Sequence, residues 1–206
     1  MNLYWIRKDL RLDDNPALDA AINRSLENQQ PLVAIFLPTP QQWQQHDQAP
    51  IQIDFMQRHL RFLSERLAEH SIPLHVINSS DFAQQAQQLI EFVDTHKVQN
   101  IFVNSEVEIN EYHRDSNIKG ILQTRDVLFE SYEADVIMPK GSVLNKQHEM
   151  YRVFTPFKRQ WLAQIIEQGY DLVDSKSTLR QFTQSQANEN NDQQLAFKQF
   201  ATPVEN

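Results

Sequence analysis

Residues able to do chemistry fall into a few groups along this chain. Asn110 and Glu111 set a carboxamide beside a carboxylate. A carboxylate accepts from N–H and amino groups, and a carboxamide both donates and accepts, so the pair can read the donor–acceptor edge of a ring. The same dipeptide also fits a helix start, with Asn capping and Glu answering the dipole, and on pattern alone the cap is the better reading. His46 stands in a long loop, with no carboxylate at metal-ligand spacing beside it. Arg7, Asp9, Arg11 and Asp14 crowd one turn, where alternating signs fit a salt-bridge network better than acid–base chemistry. Glu106, Glu108 and Glu111 lack an evident fourth oxygen ligand, so they read as a solvated acidic loop and no metal site is assigned. Tyr151, Phe154 and Phe157 interleave with Arg152, Lys158 and Arg159, a mixture that can contact single-stranded nucleic acid.

Five short apolar runs must position these groups. Residues 3–6, 32–37, 74–77, 101–103 and 127–129 read as strands, several of them continuously apolar as in a sheet covered on both faces. Trp5 lies in the first and reads as core. Helical patterns separate them at 16–27, 51–70 and after Asp81, with a polar helix or loop at 110–124. Asn15 is placed to cap the first helix, with Pro16 at its first position. This alternation predicts an α/β fold: a doubly wound, Rossmann-like five-stranded parallel sheet with helices on both faces, followed by a long connecting segment. In such a sheet ligands bind beyond the carboxyl ends of the strands. The segments 7–14, 39–50, 78–81, 104–114 and 130–135 would line that edge.

After residue 135 the pattern changes. Between Pro139 and Trp161, Lys140, Lys146, Arg152, Lys158 and Arg159 face Glu149 alone, and a helix is predicted at 156–168 with Gly169 as terminator. The stretch from Asp174 is rich in Gln, Asn and Ser and is expected to be mobile. The expected division is therefore an α/β domain at 1–135, a connecting segment at 136–173 and a mobile linker at 174–206.

The totals narrow the function. With 206 residues the chain can bury a real core, and without cysteine it has no disulfide, thiolate metal site or cysteine nucleophile. A net charge of −8 argues against a free-standing nucleic-acid binder. The three glycines, Gly120, Gly141 and Gly169, do not form a phosphate-cradling turn after a strand, which counts against a nucleotide-binding α/β domain. No run approaches a membrane span and no signal peptide is visible, so a cytoplasmic protein is expected.

Four separated segments carry a more specific signal. Trp5-x-Arg7-x-Asp9-Leu10-Arg11-x-x-Asp14-Asn15-x-Ala17-Leu18, Phe36-x-x-Thr39-Pro40-x-Gln42-Trp43, Asn110-Glu111-x-x-x-Arg114-Asp115 and His148-Glu149-Met150-Tyr151-Arg152-Val153-Phe154-Thr155-Pro156-Phe157-Lys158 resemble, in order, the DNA photolyase/cryptochrome family. The closest resemblance is to bacterial cyclobutane pyrimidine dimer photolyases with a folate antenna. It implies an N-terminal antenna domain binding 5,10-methenyltetrahydrofolate, with His46, Asn110 and Glu111 as the cofactor-binding residues. At Asn110-Glu111 the resemblance reverses the helix-cap reading in favour of a pterin contact. It also implies that FAD and the pocket for a flipped lesion belong to a C-terminal helical domain beyond Asn206. Accordingly no catalytic residue is expected here, and the fragment is expected to be inactive and to bind no FAD. The implied partners are that helical domain and, through the full-length protein, pyrimidine-dimer DNA. The 150–158 stretch then reads as a domain interface, whose exposed apolar surface could drive self-association. A cryptochrome-type photoreceptor is the alternative within the same family.

Overall fold

The structure is a computed structural model and describes residues 1–188. Five strands form one sheet: β1 (Asn2–Ile6), β2 (Leu32–Phe36), β3 (Leu74–Val76), β4 (Asn100–Asn104) and β5 (Leu128–Tyr132). Every pairing is parallel and the order is β3-β2-β1-β4-β5. The chain winds outward from β1 to β3, returns to place β4 on the other side of β1, and winds outward again. The order therefore reverses between β1 and β4, and their carboxyl ends open the crevice expected of such sheets.

Side-chain alternation splits the core in two. Tyr4 and Ile6 point to one face, where they meet Ala17, Leu18, Ala21 and Ile22 of α1 (Pro16–Asn28) and Leu60 and Leu67 of α3 (Pro50–Ala68). Leu3 and Trp5 point to the other, against Leu89 and Val93 of α4 (Phe82–His96) and Ile118 and Leu122 of α5 (Ile109–Gln123). Both faces of the central strands are covered, which is why β2 is apolar throughout, whereas the edge strand β5 carries Glu130 and Ser131. The caps match the sequence reading: Asn15 accepts from Leu18 N at 3.0 Å with Pro16 following, and Asp81 accepts from Gln84 N at 2.8 Å.

Three segments depart from expectation. The 39–50 loop contains a short helix, α2 (Pro40–Gln45), which Pro40 starts without losing a needed N–H. Helix α6 (Phe154–Gln168) begins two residues early and has no fully buried residue, with Phe157 and Trp161 only half-buried, although Gly169 ends it as predicted. Most consequentially, residues 175–188 are not a free linker but a helix, α7 (Ser175–Asn188), packed along α1. Leu179 is 3 % exposed and Phe182 1 %, and both join the α1 face of the core. Burying these two side chains, each worth about 1.5–3 kcal/mol, outweighs the weak helical preference of the polar residues around them. The remainder of the expected linker, 189–206, lies outside the described residues. Among the described residues no helix is long and apolar enough to cross a membrane.

Candidate functional site

The carboxyl ends of β1, β2 and β4 surround a cleft of about 630 Å³. That size falls within the range typical of small-molecule sites. His46 enters it from the C-terminal end of α2, and Asn110 and Glu111 enter from the first turn of α5. The three candidate cofactor residues, 64 or more positions apart between the first and the other two, thus line a single cleft. His46 and Asn110 are exposed, and Glu111 is half-buried.

The start of α5 removes the competing explanation for Asn110. The cap position is Glu108, whose side chain makes no capping bond, and Asn110 lies inside the first turn. Its carboxamide is therefore not a helix cap. Glu111 remains in the first turn, where the helix dipole favours its negative charge.

Beneath this rim the floor is charged but compensated. The Arg7 guanidinium lies 4.1 Å from the centre of the Trp5 ring, and that of Arg114 lies 5.2 Å from both Trp5 and Phe82. Arg7 donates to Asp115 at 2.6 Å, and Arg114 donates to Glu106 at 2.8 Å and to Asp115 at 2.9 Å. Burial, and next the nearby Arg114 charge, push the Arg7 pKa down, while Asp115 and Glu106 oppose them. Lys8 bonds Glu108 and lies 3.6 Å from Glu106. Burial opposes ionisation of Lys8, yet the bond to Glu108 and the charge of Glu106 hold its pKa above the usual value. The same bond lowers the Glu108 pKa.

Oxygens of Glu106, Glu108 and Glu111 come within 4.8 Å of one another. Lys8, Arg7 and Arg114 already neutralise this group, so its electrostatics are those of an ion-pair network rather than of an uncompensated acidic cage.

The salt-bridge expectation for the first turn needs correcting in its partners. No ion pair links the side chains of Arg7, Asp9, Arg11 and Asp14 to one another. Asp9 is buried and accepts from Tyr4 Oη at 2.9 Å, from Arg7 N at 3.1 Å and from Asn104 Nδ2. Arg11 donates to the carbonyls of Asp14 and Ala134, and Asp14 accepts from Val173 N at 3.0 Å. The turn is braced as expected, but by distant elements that charge alternation could not identify.

Several cleft residues had no functional assignment from sequence. Gln42 and Trp43 of α2, Gln85 of α4 and Arg114 of α5 all line it. Three of them fall inside the quoted family segments, which was the available signal; Gln85 had none. Trp5 Nε1, Arg7 Nε and Nη2, Gln42 Oε1 and Gln85 Oε1 are buried without a hydrogen-bond partner among the described residues. Five such atoms around one cleft mark it as a place where polarity is not fully satisfied by the protein itself.

Residues 2–175 match the family model for DNA photolyase. The chain is 37 % identical over 162 residues to the deoxyribodipyrimidine photo-lyase of Vibrio cholerae, covering 79 % of this chain and 34 % of that protein. It is 39 % identical over 166 residues to that of Salmonella typhimurium, covering 81 % and 34 %. It thus spans about a third of the length of these curated relatives. Its fold resembles the crystal structure of an archaeal photolyase from Sulfolobus tokodaii, which holds two FAD molecules, with a TM-score of 0.62 and 20 % identity over 89 % of this chain and 42 % of that one.

Proposed function

The chain belongs to the DNA photolyase family, and from that premise we propose that it is the antenna-chromophore domain of a deoxyribodipyrimidine photolyase. The observation that supports this most is the meeting of His46, Asn110 and Glu111 on one cleft at the strand-order reversal. The donor set suits a pterin. Glu111 can accept from ring N–H and amino groups, while Asn110 can donate to a ring carbonyl. His46 lines the same cleft, and the Trp5, Arg7 and Arg114 side chains that line it with them are held by their own ring contacts and ion pairs. Bound 5,10-methenyltetrahydrofolate would supply near-ultraviolet and blue absorption whose excitation passes to FAD.

In this reading, FAD and the splitting of cyclobutane pyrimidine dimers in DNA belong to a helical domain of the full-length protein, acting in the cytoplasm. No residue of this chain is given a bond-making or bond-breaking role. Docking of that domain on the connecting segment is supported by the exposed apolar side chains there, among them Phe154 and Ile166 at 71 % and 83 % exposure. Identity of 37 % and 39 % to two named photo-lyases, against 22 % to a cryptochrome of Arabidopsis thaliana, supports repair over a cryptochrome role.

Titration with 5,10-methenyltetrahydrofolate, read by absorbance, tests the proposal. The full-length protein should gain the antenna band, and Glu111→Ala should remove it while sparing flavin-driven repair. Loss of band and repair together would make Glu111 a structural residue. The chain of residues 1–206 should bind folate only weakly, because the helical domain is expected to complete the pterin pocket. Tight stoichiometric binding would overturn that shared-pocket feature.

A further inference from the structure

A second cleft, of about 520 Å³, lies where α7 docks beside α3 and the turn after β1. It shares no lining residue with the first. Its charge is the reverse of the chain's. Arg11, Arg66, Lys176 and Arg180 line it, and among the described residues Asp13 is the sole carboxylate in the lining, in a protein whose net charge is −8. Lys176 holds Asp13 at 3.2 Å, and Arg66 lies 3.6 Å from Glu69 just outside the lining. Both contacts are solvent-exposed pairs of the kind that yield readily to a stronger anion. Arg66, Lys176 and Arg180 are exposed and can turn toward a ligand, whereas Arg11 is anchored by two carbonyls and contributes a fixed charge.

One wall is aromatic. Phe62, 51 % exposed, lines the cleft, and its ring lies 5.7 Å from that of His59, which in turn stacks on Phe55 at 5.8 Å. His59 Nε2 is bonded to the Leu10 carbonyl at 2.6 Å, so the ladder is tied to the turn that forms the opposite wall. Converging guanidinium groups recognise phosphate oxygens, and an exposed ring offers a stacking face for a base.

We propose that this α3–α7 cleft is an anion site for a phosphate group, with Arg66, Lys176 and Arg180 as the cationic arms and Phe62 as the stacking wall. Two sources share that chemistry: a small phosphate compound and a nucleic-acid backbone. The site does not depend on the antenna reading, because it uses none of the same residues.

The 206-residue chain is titrated by calorimetry at low salt, in separate runs with inorganic pyrophosphate and with a short oligothymidylate. Saturable binding of either, weakened about tenfold or more by Arg66→Gln combined with Arg180→Gln, supports the site. Binding of pyrophosphate alone identifies a small ligand. Binding of the oligonucleotide, weakened further by Phe62→Ala, identifies a backbone with stacked bases. Arg24→Gln with Arg125→Gln, two arginines on other surfaces, should change nothing. The charged positions altered are exposed, and an unchanged thermal transition verifies the fold. Movement of the His59 and His70 ring signals on titration gives an independent reading from inside the cleft. No saturable binding of either probe, or an equal loss in the control pair, overturns the proposal.

Discussion

Arg7 and Asp115, 108 positions apart in the chain, meet through a 2.6 Å hydrogen bond from Arg7 Nη1. The side chain of Arg7 is 3 % exposed and that of Asp115 16 %, so β1 and α5 are joined by a charge pair largely removed from water. Such pairs are costly to assemble and more costly to break singly, since the survivor keeps its charge without its partner. Here the pair also fixes the floor of the cleft at the strand-order reversal through the packing of Arg7 on Trp5.

Asp115→Ala should therefore destabilise the chain by about 3 kcal/mol, because Arg7 would retain only Glu106, at 3.9 Å. Arg7→Met with Asp115→Leu should recover much of that loss by removing both charges together. Urea unfolding of the three proteins checks this. A cost below about 1 kcal/mol for Asp115→Ala would mean that the pair is effectively solvated.

Tyr4 predicts a base-limited stability. Its pKa is raised well above the usual value by burial, and next by the adjacent Asp9 carboxylate. A free tyrosine titrates near 10. Unfolding therefore releases a proton above that pH, and the stability held by neutral Tyr4, complete below about pH 10, drains away as pH rises toward the folded pKa. Tyr132, also raised by burial and by its bond to Glu130, adds to the same slope. Tyr4→Phe should lower stability by about 1 kcal/mol at neutral pH through lost hydrogen bonds and flatten the decline above pH 10. An unchanged slope in a melting series across that range would exclude Tyr4 as its source.

The third prediction concerns α7. Phe182→Ala removes a fully buried ring from the α1 face and should cost about 3–5 kcal/mol, seen as a large fall in melting temperature. Substitution of exposed Arg180 by Ala on the same helix should leave melting nearly unchanged. Equal, small effects at both positions would mean that α7 detaches readily in solution.

If the cleft holds folate as proposed, Asn110→Ala should lower folate affinity without lowering stability, because Asn110 is exposed and does not cap α5. Absorbance titration and melting of the full-length protein separate the two readouts. A drop in melting temperature comparable with that of a lost helix cap, about 1 kcal/mol, would restore the capping role.

Much of this was readable from the residues alone, for identifiable reasons. Leu32 to Phe36 announce a strand covered on both faces because parallel sheets bury both, and Asn15-Pro16 announce a helix start because the cap chemistry is local. The convergence of segments 7–14, 39–50 and 104–114 on one crevice follows from the rule for doubly wound sheets. What could not be read were partnerships across long loops. Nothing local links Arg7 to Asp115, or Asp14 to Val173. Helix α7 escaped because only Leu179 and Phe182 carry its apolar face amid Gln, Ser and Thr, too few to outweigh a composition typical of linkers. Their spacing of three was the one local hint. At Asn110 the local pattern favoured a cap and the family resemblance reversed that reading; the cap position at Glu108 agrees with the reversal.

The placement of α7 has a consequence for how the molecule comes into being. Helix α1 is made early, yet its outer flank is closed only by residues near the far end of the described chain. During synthesis, on the order of ten to thirty seconds separate the two at ordinary ribosomal rates. Through that interval α1 can lie on the sheet with part of its apolar flank still open to water, a vulnerable stage in which chaperone capture or mispairing with another nascent chain is favoured. A release factor acting after residue 135 would leave the sheet complete in its strands but permanently missing this late-made closure.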